Sequence, residues 1–243
     1  MYKEPLFLAA GDQALTIELG NAISPETNRM VHSLVTLMVQ RQIRGIIDLT
    51  PSYRSILAQY DPIQISLDEL QTLISELVRE LDDQPPHNPT ITHIPTLYGG
   101  KHGPDLAYVA KQAGITCKEA INIHSDQSYL IYMIGFTPGF PYLGGLCEKL
   151  TTPRLKTPRL KIPAGSVGIA ESQTGIYPVD SPGGWRLVGQ TPIRLFDHGC
   201  EQPSLLTPGN YVKFNAIPDE SEYTHLVNLI TQGKYDITVE EMK

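Results

Sequence analysis

Four short segments in the second half of the chain combine glycine and proline with aromatic, amide and cationic side chains. They are GFTPGFPYLGG from Gly135, PRLKTPRLKIPAGSVG from Pro153, QTGIYP from Gln173 and SPGGW from Ser181. Glycine lets a ligand approach the backbone, proline fixes the chain direction, and successive exposed N–H groups can cradle an anion. A segment rich in both is neither a regular helix nor a paired central strand, yet the first holds three large rings. Large apolar side chains on a loop either pin it to a core or line a concave site. The candidate substrate contacts are therefore Phe136, Pro138, Gly139, Phe140, Tyr142, Lys156, Gly165, Ser166, Tyr177, Gly183, Gly184 and Trp185. Phe136, Phe140 and Tyr142 are expected to wall one side of a groove, with Pro138 and Gly139 fixing the bend. Tight turns of a β barrel are the plain alternative reading of the same segments.

Gln173 suits amide chemistry, because its side chain both donates and accepts and matches a lactam or urea-like group edge to edge. Arg154, Lys156, Arg159 and Lys161 can balance a carboxylate or phosphate, and Gln173, Arg154 and Arg159 are read as the catalytic set. The five-residue spacing of the two PRLK copies puts Arg154 and Arg159 on opposite faces of a straight strand. Both reach one site only if a bend intervenes. Other motifs are weaker. AGSVG around Ser166 lacks the first glycine and the following helix of a nucleophile elbow, and GGKHGPD lacks Walker spacing. That second segment reads as a helix-entry turn with Pro104 in the first helical turn. His124, beside apolar Ile121 and Ile123, reads as a buried hydrogen-bonded histidine. His198-Gly-Cys200 is no metal motif, and the three cysteines are too widely spaced for a CxxC pair or a disulfide framework.

The elements expected to position these residues divide the 243-residue chain near residues 82–90, where DDQPPHNPT reads as a linker. Before it, FLAAGDQALTIELG reads as two strands, and Ser24 with Pro25 opens a helix. GIIDLT and SILAQYD follow as strands, and Ser66 with Glu69 makes a capping box for a second helix. After the linker come the strand TITHIPTLY and two short helices, the second with a Thr116/Glu119 capping box. From Ser128 the texture is β, with SYLIYMI, VGIA, WRLVG, PIRLF and YVKF spaced as in a barrel or sandwich. SEYTHLVNLI then reads as helical. A formal net charge of −7 argues against a general nucleic-acid binder, and no apolar run reaches signal or membrane-span length, so a cytoplasmic protein is expected.

The series YGGKHGPDL, GFTPGFPYLGGL, TPRLKTPRLKIPAGSVGIAESQTGIYP, SPGGWRLVGQTP and LLTPGNYVKF, from about Tyr98 to Phe214, resembles the family of allophanate hydrolase subunit 1, KipI and the B-type subunit of 5-oxoprolinase. The resemblance implies an α+β fold: a small α+β N-terminal domain (residues 1–85) followed by a cyclophilin-like β-barrel domain (residues 90–243) carrying the ligand groove. It implies work in a complex with a homologous larger barrel protein, the C-type subunit of 5-oxoprolinase, and with a separate A-type subunit. The activity implied is ATP-dependent opening of 5-oxoproline to L-glutamate, with ATP and Mg as cofactors whose site a partner can supply. The KipI branch implies instead an inhibitor that binds a sporulation histidine kinase, and a further branch implies allophanate or urea hydrolysis. Where the family ends its barrel with PGD, this chain has Pro208-Gly209-Asn210, which removes a carboxylate from that turn.

Overall fold

The computed structural model describes residues 2–81 and 89–242. It separates into two compact units, Met1–His87 and Asn88–Lys243. The linker read at residues 82–90 lies outside the described residues except for its last two, of which Thr90 already begins a strand.

The first unit runs β1 (Leu6–Ala9), β2 (Ala14–Glu18), α1 (Pro25–Gln40), β3 (Ile46–Pro51), β4 (Ser55–Tyr60) and α2 (Leu67–Glu80). Its four strands form one antiparallel sheet in the order β1-β2-β4-β3. Both helices start where the capping chemistry places them. Ser24 accepts the Thr27 N–H at 3.1 Å, and Ser66 and Glu69 bond reciprocally. Val31, Leu34 and Met38 of α1 and Leu70, Ile74 and Leu77 of α2 meet Leu15, Ile17, Ile56 and Ala58 of the sheet in one core. Asn28, fully buried in α1, donates to the Ser52 and Tyr53 carbonyls, 3.2 Å each, and so pins the β3–β4 turn.

The second unit contains β5 (Thr90–Tyr98), α3 (Leu106–Ala113), α4 (Cys117–Ser125), β6 (Ser128–Ile134), β7 (Pro141–Gly144), β8 (Arg159–Ile162), β9 (Ser166–Ala170), β10 (Gln173–Ile176), β11 (Ser181–Gly183), β12 (Arg186–Gln190), β13 (Tyr211–Ala216), α5 (Glu220–Thr231) and β14 (Val239–Glu241). Seven strands close a barrel in the order β12-β9-β10-β7-β6-β13-β5, with β5 returning to β12. Closure depends on the length of β5. Residues 91–96 run parallel to β13, while Leu97 and Tyr98 pair with β12 and residues 90–92 with β14. Alternate residues fill the interior: Ile94, Tyr129, Ile131, Leu143, Val167, Ile169, Ile176, Val188, Val212 and Phe214, joined by Leu106, Val109 and Ala120 of the helices. The fold is thus mixed α and β with a closed barrel. No helix among the described residues is long and apolar enough to cross a membrane.

Three local expectations are corrected. Pro141–Gly144 and Gln173–Ile176, inside segments whose glycines and prolines read as bends rather than paired central strands, are the barrel strands β7 and β10, each hydrogen-bonded on both sides. PIRLF (residues 192–196) is not a strand: Pro192 has no N–H, the Ile193 N–H turns back to Thr191 Oγ1 at 3.1 Å, and only Phe196 makes a bridge, to Ser204. Pro104 lies ahead of α3 rather than in its first turn, because Asp105 holds the cap position. Asn210 has a structural task, with Oδ1 accepting the Thr90 N–H at 3.1 Å at the start of β5.

Candidate functional site

The outward face of the barrel wall β7-β10-β9-β12 carries a cluster of rings. Gly175 of β10 stands opposite Tyr142 of β7, and a Cβ on it would lie 3.0 Å from the Phe140 ring, the Pro141 carbonyl and the Trp185 ring. Only glycine lets Trp185 lie flush on the wall at that point. Phe140 is the hub. Its ring centroid is 5.6 Å from Phe136, 5.1 Å from Tyr142, 5.2 Å from Tyr177 and 5.4 Å from Trp185, all edge-on. Such pairs contribute about 0.5–1.5 kcal/mol each beyond area burial. Ile162, Ala170 and Leu187 complete the cluster.

A bend at residues 156–157 brings both PRLK copies to this surface. Leu155 N–H donates to the Gly184 carbonyl at 2.7 Å, the Arg154 guanidinium lies 5.9 Å over the Trp185 ring, and Arg159 Nη1 donates to the Trp185 carbonyl at 3.4 Å. The condition set by the five-residue spacing is met by this bend. Arg159 is tied further, because Nη2 meets the Asp105 carboxylate at 2.9 and 3.0 Å. Asp105 Oδ2 also accepts the Leu187 N–H at 2.8 Å, and Arg186 Nη1 lies 4.0 Å from Oδ1. Arg186 stacks 3.8 Å over Tyr108 and donates Nε to the Pro153 carbonyl at 3.3 Å.

Asp105 escaped the sequence reading. An aspartate just before a helix signals a cap, and nothing local distinguishes it from one. In the structure its side chain makes no cap bond and serves the ring face instead. The rings themselves correct a second expectation. Phe140 and Tyr177 are 1% exposed and Trp185 5%, so Phe140 is the floor of the surface rather than an open wall. Four surrounding rings cover it. Phe136 and Pro138 are exposed and Tyr142 is partly so. Phe136 holds φ = 61°, a left-handed conformation unusual for a bulky residue.

The remaining candidates divide. Gln173 is half-buried at the start of β10, opposite Ala170 and two residues from Gly175, so it shares the outward face. Gly183 and Gly184 back the cluster against Tyr177, Ile162 and Pro158, and Lys156 is exposed at the bend. Gly139 faces Phe196 and Pro178 instead. Gly165 lines a different groove of about 580 Å³, with Pro178, Asp180, Thr191, Phe196 and Tyr223, which shares no residue with the ring cluster. Ser166 next to it is buried in β9, and no helix follows it.

Protonation follows from burial and partners. Burial pushes the Tyr177 phenol up, a hydrogen bond from the Trp185 backbone and the charge of Arg154 opposing it in part. His124 is buried, and burial lowers it to about 3. Its Nδ1 is 2.7 Å from Tyr98 Oη and its Nε2 is 2.8 Å from Thr174 Oγ1, which itself donates to the Gly168 carbonyl at 3.1 Å. Thr174 has one proton and gives it to Gly168, so Nε2–H donates to Thr174 and Nδ1 accepts from Tyr98. The ring is neutral and fully satisfied, a structural histidine.

The glycine-rich loop at residues 99–105 is not built to cradle a nucleotide phosphate. Among the described residues no group of three or more His, Cys, Asp or Glu side chains can hold a metal ion. In the loop at residues 99–105, His102 and Gly103 N–H both bond the Gly99 carbonyl, Gly99 N–H bonds Val188 and Asp105 N–H bonds Leu187, so these amides are satisfied inside the protein. Lys101 pairs with Glu220 at 3.0 Å.

The closed barrel is the fold of a known class. The chain belongs to the family described as carboxyltransferase domain, subdomain C and D, whose model matches residues 5–206. It is 37% identical over 225 residues to the B-type subunit of 5-oxoprolinase from Bacillus subtilis (strain 168), with 88% of this chain and 94% of that one covered. Among solved structures it is similar to TTHA0988, at 33% identity and a TM-score of 0.74, over 85% of this chain and 40% of that one. The chain therefore spans well under half the length of that relative. The Kluyveromyces lactis urea amidolyase shares the fold, with a TM-score of 0.80 at 22% identity over 98% of this chain and 16% of that one.

Proposed function

We propose that this chain is a component of an ATP-dependent 5-oxoprolinase assembly that opens 5-oxoproline to L-glutamate. The reading is supported by its likeness to the B-type subunit of 5-oxoprolinase along nearly the whole length of both chains. The observation that carries it chemically is the convergence of Gln173, Arg154 and the partly open rings Phe136 and Tyr142 on one face of the barrel. In this reading residues 90–243 form a cyclophilin-like domain that carries the ligand surface, and residues 1–85 form a separate α+β domain.

A lactam is a resonance-stabilised amide, and opening it develops charge on the carbonyl oxygen. This chain's part is to hold the lactam: the Gln173 amide pairs with the ring edge, the cationic segment balances negative charge, and the aromatic side chains exclude water and so strengthen both contacts. The nucleotide and its metal are assigned to partner chains, the A-type and C-type components, since the glycine-rich loop at residues 99–105 has its amides engaged within the protein. The chain is then silent alone.

The test combines the purified chain with its co-encoded partners and follows glutamate release from 5-oxoproline with and without ATP. Release that requires ATP and all components supports the reading. A complete mixture active on allophanate instead, or inactive but bound tightly to a histidine-kinase dimerisation domain, overturns it. In the active assembly Gln173→Ala is expected to lower turnover at least about tenfold, roughly 1.4 kcal/mol of barrier, without unfolding the chain. Unchanged turnover removes Gln173 from the site.

A further inference from the structure

The four cations of the ring face are not equivalent. Arg159 and Arg186 share the Asp105 carboxylate, at 2.9 and 4.0 Å, and Arg186 is also laid on Tyr108. Among the described residues Arg154 and Lys156 carry no ion pair, and Arg154 has its guanidinium over the Trp185 ring. A guanidinium lying on an indole keeps its N–H edge free for a planar anion, which it can grip with two parallel bonds. Lys156, at the bend, is a point charge on a mobile stem.

The segment that carries Arg154 is tied down along its length. Pro153 accepts from Arg186, Leu155 donates to Gly184, and Arg159 reaches the Trp185 carbonyl and Asp105. Two of these ties run through arginines that Asp105 holds, while Asp105 is anchored independently by the Leu187 N–H at 2.8 Å and by its own N–H to the Leu187 carbonyl at 2.9 Å. Asp105 is thus a fixed point against β12 for a segment with no regular structure between residues 153 and 158.

The geometry points to Asp105 as a positioning residue that, through Arg159 and Arg186, holds residues 153–159 so that Arg154 stands over Trp185 as the receptor for the substrate's carboxylate. It rests on the lactam reading for the identity of that carboxylate. Arg159, which the residue pattern assigned to catalysis, has in this proposal a positioning part, because its charge is already balanced by Asp105. Removing Asp105 leaves Arg159 without its counter-ion and frees both ties at once.

Trp185 is the only tryptophan in the chain, so its emission reports on this segment without any turnover. Asp105→Asn is expected to raise acrylamide quenching of Trp185 about twofold or more, and in the full assembly to raise KM for 5-oxoproline at least about tenfold with kcat changed less than about threefold. Arg154→Ala raises that KM further, about thirtyfold, Arg154→Lys recovers part of the loss, and both variants lose less on the uncharged carboxamide of 5-oxoproline than on 5-oxoproline itself. Sodium 5-oxoproline changes Trp185 emission in the unsubstituted chain and not in Arg154→Ala. If Asp105→Asn does not fold, the double variant Asp105→Asn/Arg159→Gln removes both charges together and carries the same expectations. A folded variant with unchanged quenching and unchanged KM overturns the positioning role, and equal losses on 5-oxoproline and its carboxamide overturn the carboxylate role. If the unsubstituted assembly opens no lactam, the functional reading fails, and quenching still decides whether Asp105 positions the segment.

Discussion

Gly103→Ala is expected to cost the barrel unit at least about 4 kcal/mol and to leave the assembly without activity. A Cβ on Gly103 would fall on the Val188 carbonyl and 2.7 Å from the Gly99 nitrogen. These are backbone atoms, with no rotamer to yield. Val188 is 1% exposed in the core, and its strand β12 pairs with both β9 and β5, which is how the barrel closes. The added methyl must either open that closure or displace the loop. Displacing the loop breaks three bonds: Gly99 N–H to Val188 at 3.0 Å, Gly103 N–H to Gly99 at 2.8 Å and Asp105 N–H to Leu187 at 2.9 Å. Overpacking alone costs about 1–3 kcal/mol, and each lost buried bond adds roughly 1 kcal/mol. Asp105 then moves with the loop, so residual folded protein has a disordered Arg159. Urea unfolding followed by circular dichroism gives the cost directly. Gly100→Ala is the control: its neighbourhood is open, with only a left-handed φ of 54° to oppose the change, about 1 kcal/mol. An equal or smaller loss at Gly103 refutes the close-approach account.

The contrast between those two glycines, close together in a motif that reads as one turn, is also a measure of what the sequence discloses. Helix starts are written locally, because a capping serine or threonine and a glutamate three residues on satisfy their donors within one turn. Ser66 with Glu69 and Thr116 with Glu119 do so in the structure. Barrel strands β5, β6, β9, β12 and β13 are legible for the same reason, by local pattern, whereas β7 and β10 are hidden inside segments whose glycines and prolines read as bends. The barrel's closure is hidden too, since it depends on Leu97 and Tyr98 leaving β13 to meet β12, a pairing about ninety residues apart along the chain that no local pattern encodes. PIRLF alternates like a strand and is none, because the proline at its head has no N–H to give a ladder and the Ile193 N–H donates to Thr191 Oγ1 instead.

At the ring face the residue types are legible and their depth is not. Phe140, Tyr177 and Trp185 are evident as ligand-facing candidates from composition, yet whether a ring is wall or floor is decided by its neighbours. Here it is decided by Gly175, whose register opposite Tyr142 lets Trp185 descend onto Phe140. Asp105 was hidden for a different reason. Its position before α3 has an ordinary explanation, and its actual partners, Arg159 and Leu187, lie 54 and 82 residues away.

Acid is expected to weaken the barrel unit well before its carboxylates titrate. His124 sits neutral between Tyr98 and Thr174 with its proton affinity lowered by burial to about 3, against 6.5 for an unburied imidazole. Above pH 6.5 the ring is neutral folded or unfolded and contributes nothing to the pH slope. As pH falls below 6.5 the unfolded chain takes a proton that the folded chain refuses, so stability drops by about 1.4 kcal/mol per unit, continuing until pH approaches 3. The loss reaches roughly 3 kcal/mol by about pH 4.5. Glu119 and Asp180 of the same unit, whose hydrogen bonds hold them below the usual carboxylate range, begin to lose their stabilising part only as pH falls below the ordinary carboxylate values, at or beneath the lower end of the range measured. The measurement is urea unfolding from about pH 8 to about pH 4.5, with the His124 ring protons followed by NMR. The ring signal is expected to stay at its neutral position while the midpoint falls. His124→Gln, which keeps a donor and an acceptor without a proton to gain, flattens the slope in this window even where it lowers stability at the alkaline end. A His124 signal that titrates near 6.5 in the folded state refutes the neutral assignment. Thr174, its acceptor, stands between Gln173 and Gly175 on β10, so protonating this histidine would disturb the strand that carries the amide and the ring seat together. The pH at which the fold loosens and the pH at which turnover of the assembly falls irreversibly should therefore coincide.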